Sequence, residues 1–178
     1  TATGGAGSDT LVSVERASGS NFNDLLTGNA DTNYFFGGAG NDTLDGSSGR
    51  DTLAGGLGDD SLDGGAITDR INYTDLNVVI YTNATTGVNV NLQTGTASDG
   101  QGGTDTLANL NFVVGSTYND LLTGSSTANL FEQFEGGAGN DTIIGGEIDP
   151  INQQNSNRAN YSGASGAVTV NLAAGTAT

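Results

Sequence analysis

The chain has no cysteine, histidine, tryptophan, methionine or lysine, and a single proline. Without cysteine there is no disulfide framework, so a small extracellular fold needs another staple, such as a bound metal. Without histidine or cysteine, the usual serine and cysteine triads and the zinc sites built on those ligands are excluded. Aromatic residues make up 6 % and hydrophobic residues 34 % of the chain, too little bulk for a conventional core. No stretch carries apolar residues at helical spacing, and none approaches membrane-spanning length. Positive charge is as scarce: four arginines face twenty acidic residues, for a formal net charge of -16. That balance excludes a nucleic-acid or anionic-membrane surface. Self-repulsion of this size leaves a chain disordered unless its carboxylates are placed to bind cations. The opening residues do not read as a signal peptide, and a start at Thr1 reads as a processed product or a piece of a longer protein.

What the chain does have is glycine, thirty of them, on a strict period. A nine-residue frame starts at positions 19, 28, 37, 46, 55 and 64, reading GSNFNDLLT, GNADTNYFF, GGAGNDTLD, GSSGRDTLA, GGLGDDSLD and GGAITDRIN. The sixth place is Asp24, Asn33, Asp42, Asp51, Asp60 and Asp69, and the eighth is Leu26, Phe35, Leu44, Leu53, Leu62 and Ile71. Glycine permits the positive-φ backbone of a tight turn and leaves peptide carbonyls uncovered, as hard oxygen ligands. The sixth-place carboxylate adds charge to those carbonyls, the donor set that suits calcium. The last three residues of each frame form a short strand whose middle side chain points inward.

One nonapeptide thus gives a turn and a strand, and two give a coil of 18 residues that stacks on the next in parallel. Carboxylates two frames apart fall on the same side, where they repel unless a cation lies between them. The expected fold class is all-β, a parallel β-roll or β-solenoid built of calcium-binding nonapeptide repeats.

The run from Gly37 to Asp63, with partial copies on both sides, resembles the RTX calcium-binding nonapeptide repeat family. The resemblance implies a parallel β-roll with each calcium ion held between alternate loops. Carried over, one site takes Gly38, Gly40 and Asp42 with Gly55, Leu57 and Asp60. A second takes Ser47, Gly49 and Asp51 with Gly64, Ala66 and Asp69. A third pairs Asp24 with Gly37, Ala39 and Asp42. In the second half of the chain, Asp120 pairs with Gly136, Ala138 and Asp141.

A longer duplication encloses these frames. GSNFNDLLTG at Gly19 returns as GSTYNDLLTG at Gly115, GGAGNDT at Gly37 returns at Gly136, and GVNVNLQTGTA at Gly87 matches AVTVNLAAGTA at Ala167. RINYT at Arg70 is read as the counterpart of RANYS at Arg158. The first unit is expected over 1–94, with a repeat block at 19–72 and a strand segment at 73–94. The second spans 95–178, with a block at 115–147, a polar insertion at 148–157 around Pro150 and a strand segment at 158–178. Its frame is broken by three residues near Gln133 to Glu135, after loops ending at Asp120 and Asn129 and before the one ending at Asp141, so fewer ions are expected there. Val88, Val90 and Leu92, like Val168, Val170 and Leu172, alternate as a half-buried strand does.

The functional expectation is a non-catalytic, calcium-binding structural module of a secreted or cell-surface bacterial protein, ordered by calcium outside the cell and acting as scaffold, spacer or assembly unit. Paired acids such as Asp59 with Asp60, or Glu132 with Glu135, read as solvated or calcium-associated rather than as a glycosidase pair. No regular Thr file runs along the loops, which argues against an ice-binding face. Two alternatives stay open: a self-associating subunit that stacks further copies end to end, and an adhesion domain whose tyrosines, Tyr73 and Tyr161, meet carbohydrate.

Overall fold

The computed structural model describes residues 2–4, 7–9, 12–68, 75–127, 130–146, 157–172 and 175–177, and every regular element among them is a strand. With strands numbered along the chain, one wall is a seven-stranded parallel sheet. Its order is β3 (Arg16–Ser18), β5 (Tyr34–Ala39), β7 (Thr52–Leu57), β9 (Val78–Ile80), β13 (Phe112–Val114), β15 (Gln133–Glu135) and β17 (Arg158–Ala159). The facing wall has eight strands: β4 (Leu25–Thr27), β6 (Thr43–Asp45), β8 (Ser61–Asp63), β12 (Thr104–Ala108), β11 (Thr96–Ser98), β10 (Asn89–Asn91), β14 (Leu121–Thr123) and β16 (Thr142–Ile144). Two antiparallel hairpins complete the described strands, β1 (Ala2–Gly4) with β2 (Gly7–Asp9) and β18 (Val170–Asn171) with β19 (Thr176–Ala177).

The nine-residue frame sets the register of the first coils. Ala17, Phe35 and Leu53 stack in one wall, and Leu26, Leu44 and Leu62 in the other. These eighth-place side chains meet between the walls; Leu44 and Leu53 are 0 % exposed. Burial of a side chain of this size contributes about 1.5–3 kcal/mol. Two facing files of mostly aliphatic residues therefore take the place of a thick core.

Past Asp63 the frame changes. The residue beneath Leu53 is Val79, not Ile71, because Thr52 and Leu53 pair with Val78 and Val79. Ile71, Asp69, Arg70 and Tyr73 lie outside the described residues. The file continues through Val113 and Phe134, both buried, and ends at exposed Ala159.

The strand segment around Val88 turns out to be antiparallel. β10, β11 and β12 form a meander in which Val90 faces Ala97 and Ala97 faces Asp105. β12 lies parallel to β8 on one side, and β10 lies parallel to β14 on the other. The meander thus joins the coils of the first unit to those of the second within a single sheet, and residues 94 and 95 fall in its β10–β11 turn. The terminal hairpins repeat its halves. Ala2 pairs with Asp9 as Ala97 pairs with Asp105, and Val170 pairs with Ala177 as Val90 pairs with Ala97.

The second unit is one coil shorter. Three strand pairs, β3/β4, β5/β6 and β7/β8, precede β9, whereas only β13/β14 and β15/β16 precede β17. Two sequence assignments shift as a result. Gln133–Glu135 is itself strand β15 and breaks nothing; the extra residues belong to the loop before it. The counterpart of Arg158–Tyr161 is Val78–Tyr81 rather than the segment at Arg70: the Ala84 N–H donates to Tyr81 O and the Ala164 N–H to Tyr161 O, each at 3.0 Å. The expected half-burial holds for Val88 and Val90, but Val168, Val170 and Leu172 are 38 %, 50 % and 89 % exposed.

Candidate metal centres

Each coil carries its sixth-place residue at the start of a strand, and the stack turns these residues into two ladders. Along one edge the backbone N–H of each rung donates to Oδ1 of the next: Asp24 to Asp42 at 2.8 Å, Asp42 to Asp60 at 2.8 Å and Asp60 to Asp105 at 3.1 Å. Beyond the meander the same edge resumes, with the Val88 N–H on Asp120 and the Asp120 N–H on Asp141. Along the other edge the rungs are Asn33, Asp51, Asn77 and Asn111, followed by Glu132 over Asn157.

Because Oδ1 is committed to the ladder, the chemistry of each rung rests on its second terminal atom. On the acidic edge, Oδ2 of Asp42 and of Asp60 is buried without a hydrogen-bond partner among the described residues, and so is Oδ2 of Asp51 across the roll. A buried carboxylate oxygen with no donor costs several kcal/mol unless it is protonated or meets a cation. Burial accordingly pushes the Asp42 and Asp60 carboxyls above the usual range, with neighbouring carboxylates adding to the rise. The Asp51 carboxyl is pushed up to about 6, and that of Asp105 to about 7, in both cases chiefly by desolvation.

Backbone oxygens gather at the same places. A Cβ built on Gly37 would collide with Asp42 Oδ2 and stand 2.5 Å from the Gly55 carbonyl oxygen, so glycine alone keeps that space open. The Gly38 and Gly40 carbonyls point at Gly56 and Gly58 of the next coil, and the Gly40 N–H donates to the Leu57 carbonyl at 2.9 Å. Gly38 and Gly40 adopt φ of 116° and 111°, backbone that side chains disfavour. Two carboxylates from adjacent coils with several carbonyls form a hard, all-oxygen set of the kind calcium takes. Among the described residues no three acidic side chains converge on one point, so carbonyls are an essential part of any such set.

The structure brings Gly38, Gly40 and Asp42 together with Gly55, Leu57 and Asp60 in one corner. Ser47 and Gly49 lie above Gly64 and Ala66, with the Ala66 N–H donating to Ser47 O. The rung beneath Asp51 in that corner is Asn77, while Asp69 lies outside the described residues. Asp24 stands over Gly37 and Ala39, and Asp120 over Gly136, Ala138 and Asp141. Serine partly serves both of these upper rungs: Ser20 donates N–H and hydroxyl to Asp24 Oδ2, and the Ser116 N–H donates to Asp120 Oδ2 at 2.7 Å.

The amide rungs have a different solution. Asn77 Nδ2 donates to the Asn109 carbonyl at 3.1 Å, and Asn111 Nδ2 donates to the Asp75 carbonyl at 3.0 Å. There an NH₂ group occupies the position of the bare oxygen and needs no cation. Sequence reading missed Asn77, Asn111, Asp99, Asp105 and the Glu132 rung, which stands where Asn129 was expected. Asp105 carried a signal, since QGGTDTL places it like a sixth-place aspartate. Asp99 carried none.

An all-strand, open parallel roll with stacked loop carboxylates and glycine carbonyls defines a metal-binding β-roll. A family model described as "RTX calcium-binding nonapeptide repeat" matches the chain in four copies, over residues 14–44, 36–71 and 126–147. The chain is thus a carrier of RTX repeats, and the repeat family binds calcium. No curated protein matches it. The unmatched stretch between 71 and 126 contains the meander and the coil that follows it.

Proposed function

We propose that this calcium-binding repeat module is a non-catalytic structural unit of a secreted or cell-surface bacterial protein, one that folds when it meets extracellular calcium. Support comes above all from the buried, partnerless Oδ2 atoms of Asp42 and Asp60, stacked on adjacent coils beside uncovered glycine carbonyls. Calcium there is held by Gly38, Gly40 and Asp42 with Gly55, Leu57 and Asp60. Asp51, with Ser47, Gly49, Gly64 and Ala66, is a second position. Asp24 with Gly37 and Ala39, and Asp120 with Gly136, Ala138 and Asp141, complete the set, with Ser20 and Ser116 sharing the load.

The ion neutralises carboxylates that otherwise repel across coils. At ~1 mM calcium and an extracellular-grade affinity of ~0.1 mM, each site adds about 1.4 kcal/mol. Several sites at that level decide whether so lean a core folds. Circular dichroism in chelator should show the β signal lost, and calcium should restore it. A spectrum indifferent to chelator sinks the reading.

Self-association is a second reading, favoured by the outer strands β4 and β16, where Leu25 and Ile144 are 72 % and 49 % exposed. Open strand edges recruit further strands. Sedimentation with and without calcium separates an assembling subunit from a monomeric spacer.

A further inference from the structure

The meander meets the last nonapeptide coil at an unusually acidic seam. Asp60, Asp99 and Asp105 are 2 %, 0 % and 1 % exposed there, and the Asp99 charge adds to the burial that raises the carboxyls of Asp60 and Asp105. Of the four carboxylate oxygens of Asp105 and Asp99, three have conventional partners. Asp105 is fully engaged, with Oδ1 on the Asp60 N–H and Oδ2 accepting the Tyr81 hydroxyl at 2.9 Å. Asp99 Oδ1 caps the turn that follows it, accepting N–H groups from Gln101, Gly102 and Gly103 at 2.8, 3.0 and 2.9 Å. Asp99 Oδ2 and Asp60 Oδ2 remain, both buried and both without a hydrogen-bond partner.

A carbonyl points into the same seam. A Cβ on Gly103 would strike the Gly58 carbonyl oxygen and lie 3.0 Å from Asp99 Oδ2, so those two oxygens face one space that glycine keeps clear. The walls are tied across this space by Gln101 Nε2 on the Gly56 carbonyl, at 3.2 Å, and by the Thr104 N–H on Asp59, at 2.8 Å. Among the described residues, Arg16 stacks over Tyr34 and Arg158 over Phe131, both on other coils. Two desolvated carboxylates of like charge, with a carbonyl beside them, are stable together when a divalent cation lies between.

We propose that Asp60 Oδ2, Asp99 Oδ2 and the Gly58 carbonyl form a calcium site at the seam between the nonapeptide coils and the meander. It rests on the calcium-binding reading above but departs from the nonapeptide pattern. Its second carboxylate comes from the β11–β12 turn, while the sixth-place aspartate of that coil, Asp105, is held by Tyr81. The ion would clamp the inserted meander onto the regular stack.

The test counts ions on the calcium-loaded chain by native mass spectrometry, comparing wild type with Asp99→Asn. Asparagine keeps the Oδ1 acceptor of the turn and removes only the free oxygen. The expected result is one ion fewer, the rest retained. An unchanged count overturns this site and leaves the nonapeptide sites standing, whereas a wild-type chain that takes up no calcium overturns both. Should the variant fold poorly, terbium-soaked wild-type crystals decide the matter. An anomalous peak within bonding distance of Asp60 and Asp99 supports the site; peaks at the nonapeptide loops alone refute it.

Discussion

Replacing Asp51 by asparagine should make the metal-free protein more stable, although it deletes a residue expected to bind calcium. Asp51 sits between two amide rungs, Asn33 and Asn77, and is 0 % exposed. Its Oδ1 accepts the Asn33 N–H at 2.8 Å, a bond asparagine preserves, while its Oδ2 has no partner. Burial lifts the carboxyl from 3.8 to about 6, and Asp75 and Asp45 add to the rise. The folded state therefore binds the proton more tightly than the unfolded chain. Its stability is fully present below pH 4 and is lost as pH rises through about 6. Ionised at pH 7.5, the group costs at most about 3 kcal/mol, and solvent screening at the loop leaves about 1–2 kcal/mol. Asp51→Asn should recover that amount in chelator at pH 7.5 and little near pH 4. Urea transitions followed by circular dichroism read the difference, or the folded fraction where the parent is already unfolded. With calcium, the variant should gain less than the parent. Destabilisation in chelator, or a gain equal at both pH values, would refute the reasoning.

The metal-free parent should lose stability between pH 4 and pH 7, because the Asp51 and Asp105 carboxyls, at about 6 and about 7, release in the folded state protons that the unfolded chain has already lost. Calcium affinity should rise over the same interval as protons stop competing, and calorimetric titration at pH 5 and pH 7.5 checks both trends. Leu53→Ala removes a fully buried rung between Phe35 and Val79 and should cost about 2–5 kcal/mol in the calcium-loaded state, seen as a lower urea midpoint. Gly56→Ala puts a Cβ on backbone of φ 111° and against the Gly38 carbonyl, which should cost about 3 kcal/mol and weaken calcium uptake at the Asp42 and Asp60 corner. Asn77→Asp trades the Nδ2 bond to the Asn109 carbonyl for a second bare carboxylate under Asp51. Chelator should unfold that variant at lower urea than the parent, by about 1–3 kcal/mol.

Sequence alone determined the period, and with it the roll. Glycine spacing fixed where turns fall, the eighth-place residues Leu44, Leu53 and Leu62 fixed which side chains are inside, and the sixth-place aspartates fixed where carboxylates stack. These follow from local rules, a positive-φ turn and a strand of alternating faces, so they can be read from the chain in order.

Tertiary pairing decided which rung lies beneath which. Asn77 sits under Asp51 because the Thr52–Val78 pairing sets the register there, while Asp69 lies outside the described residues. The same pairing makes Tyr81 the counterpart of Tyr161 and makes the second unit a coil shorter. Whether a ladder residue needs a cation also depends on its surroundings. Asp24 and Asp42 occupy the same place in the repeat, yet Ser20 satisfies Oδ2 of the first and no described residue satisfies Oδ2 of the second. The Asp60–Asp99 seam is further still from sequence, since its carboxylates meet only when an antiparallel meander folds into a parallel wall.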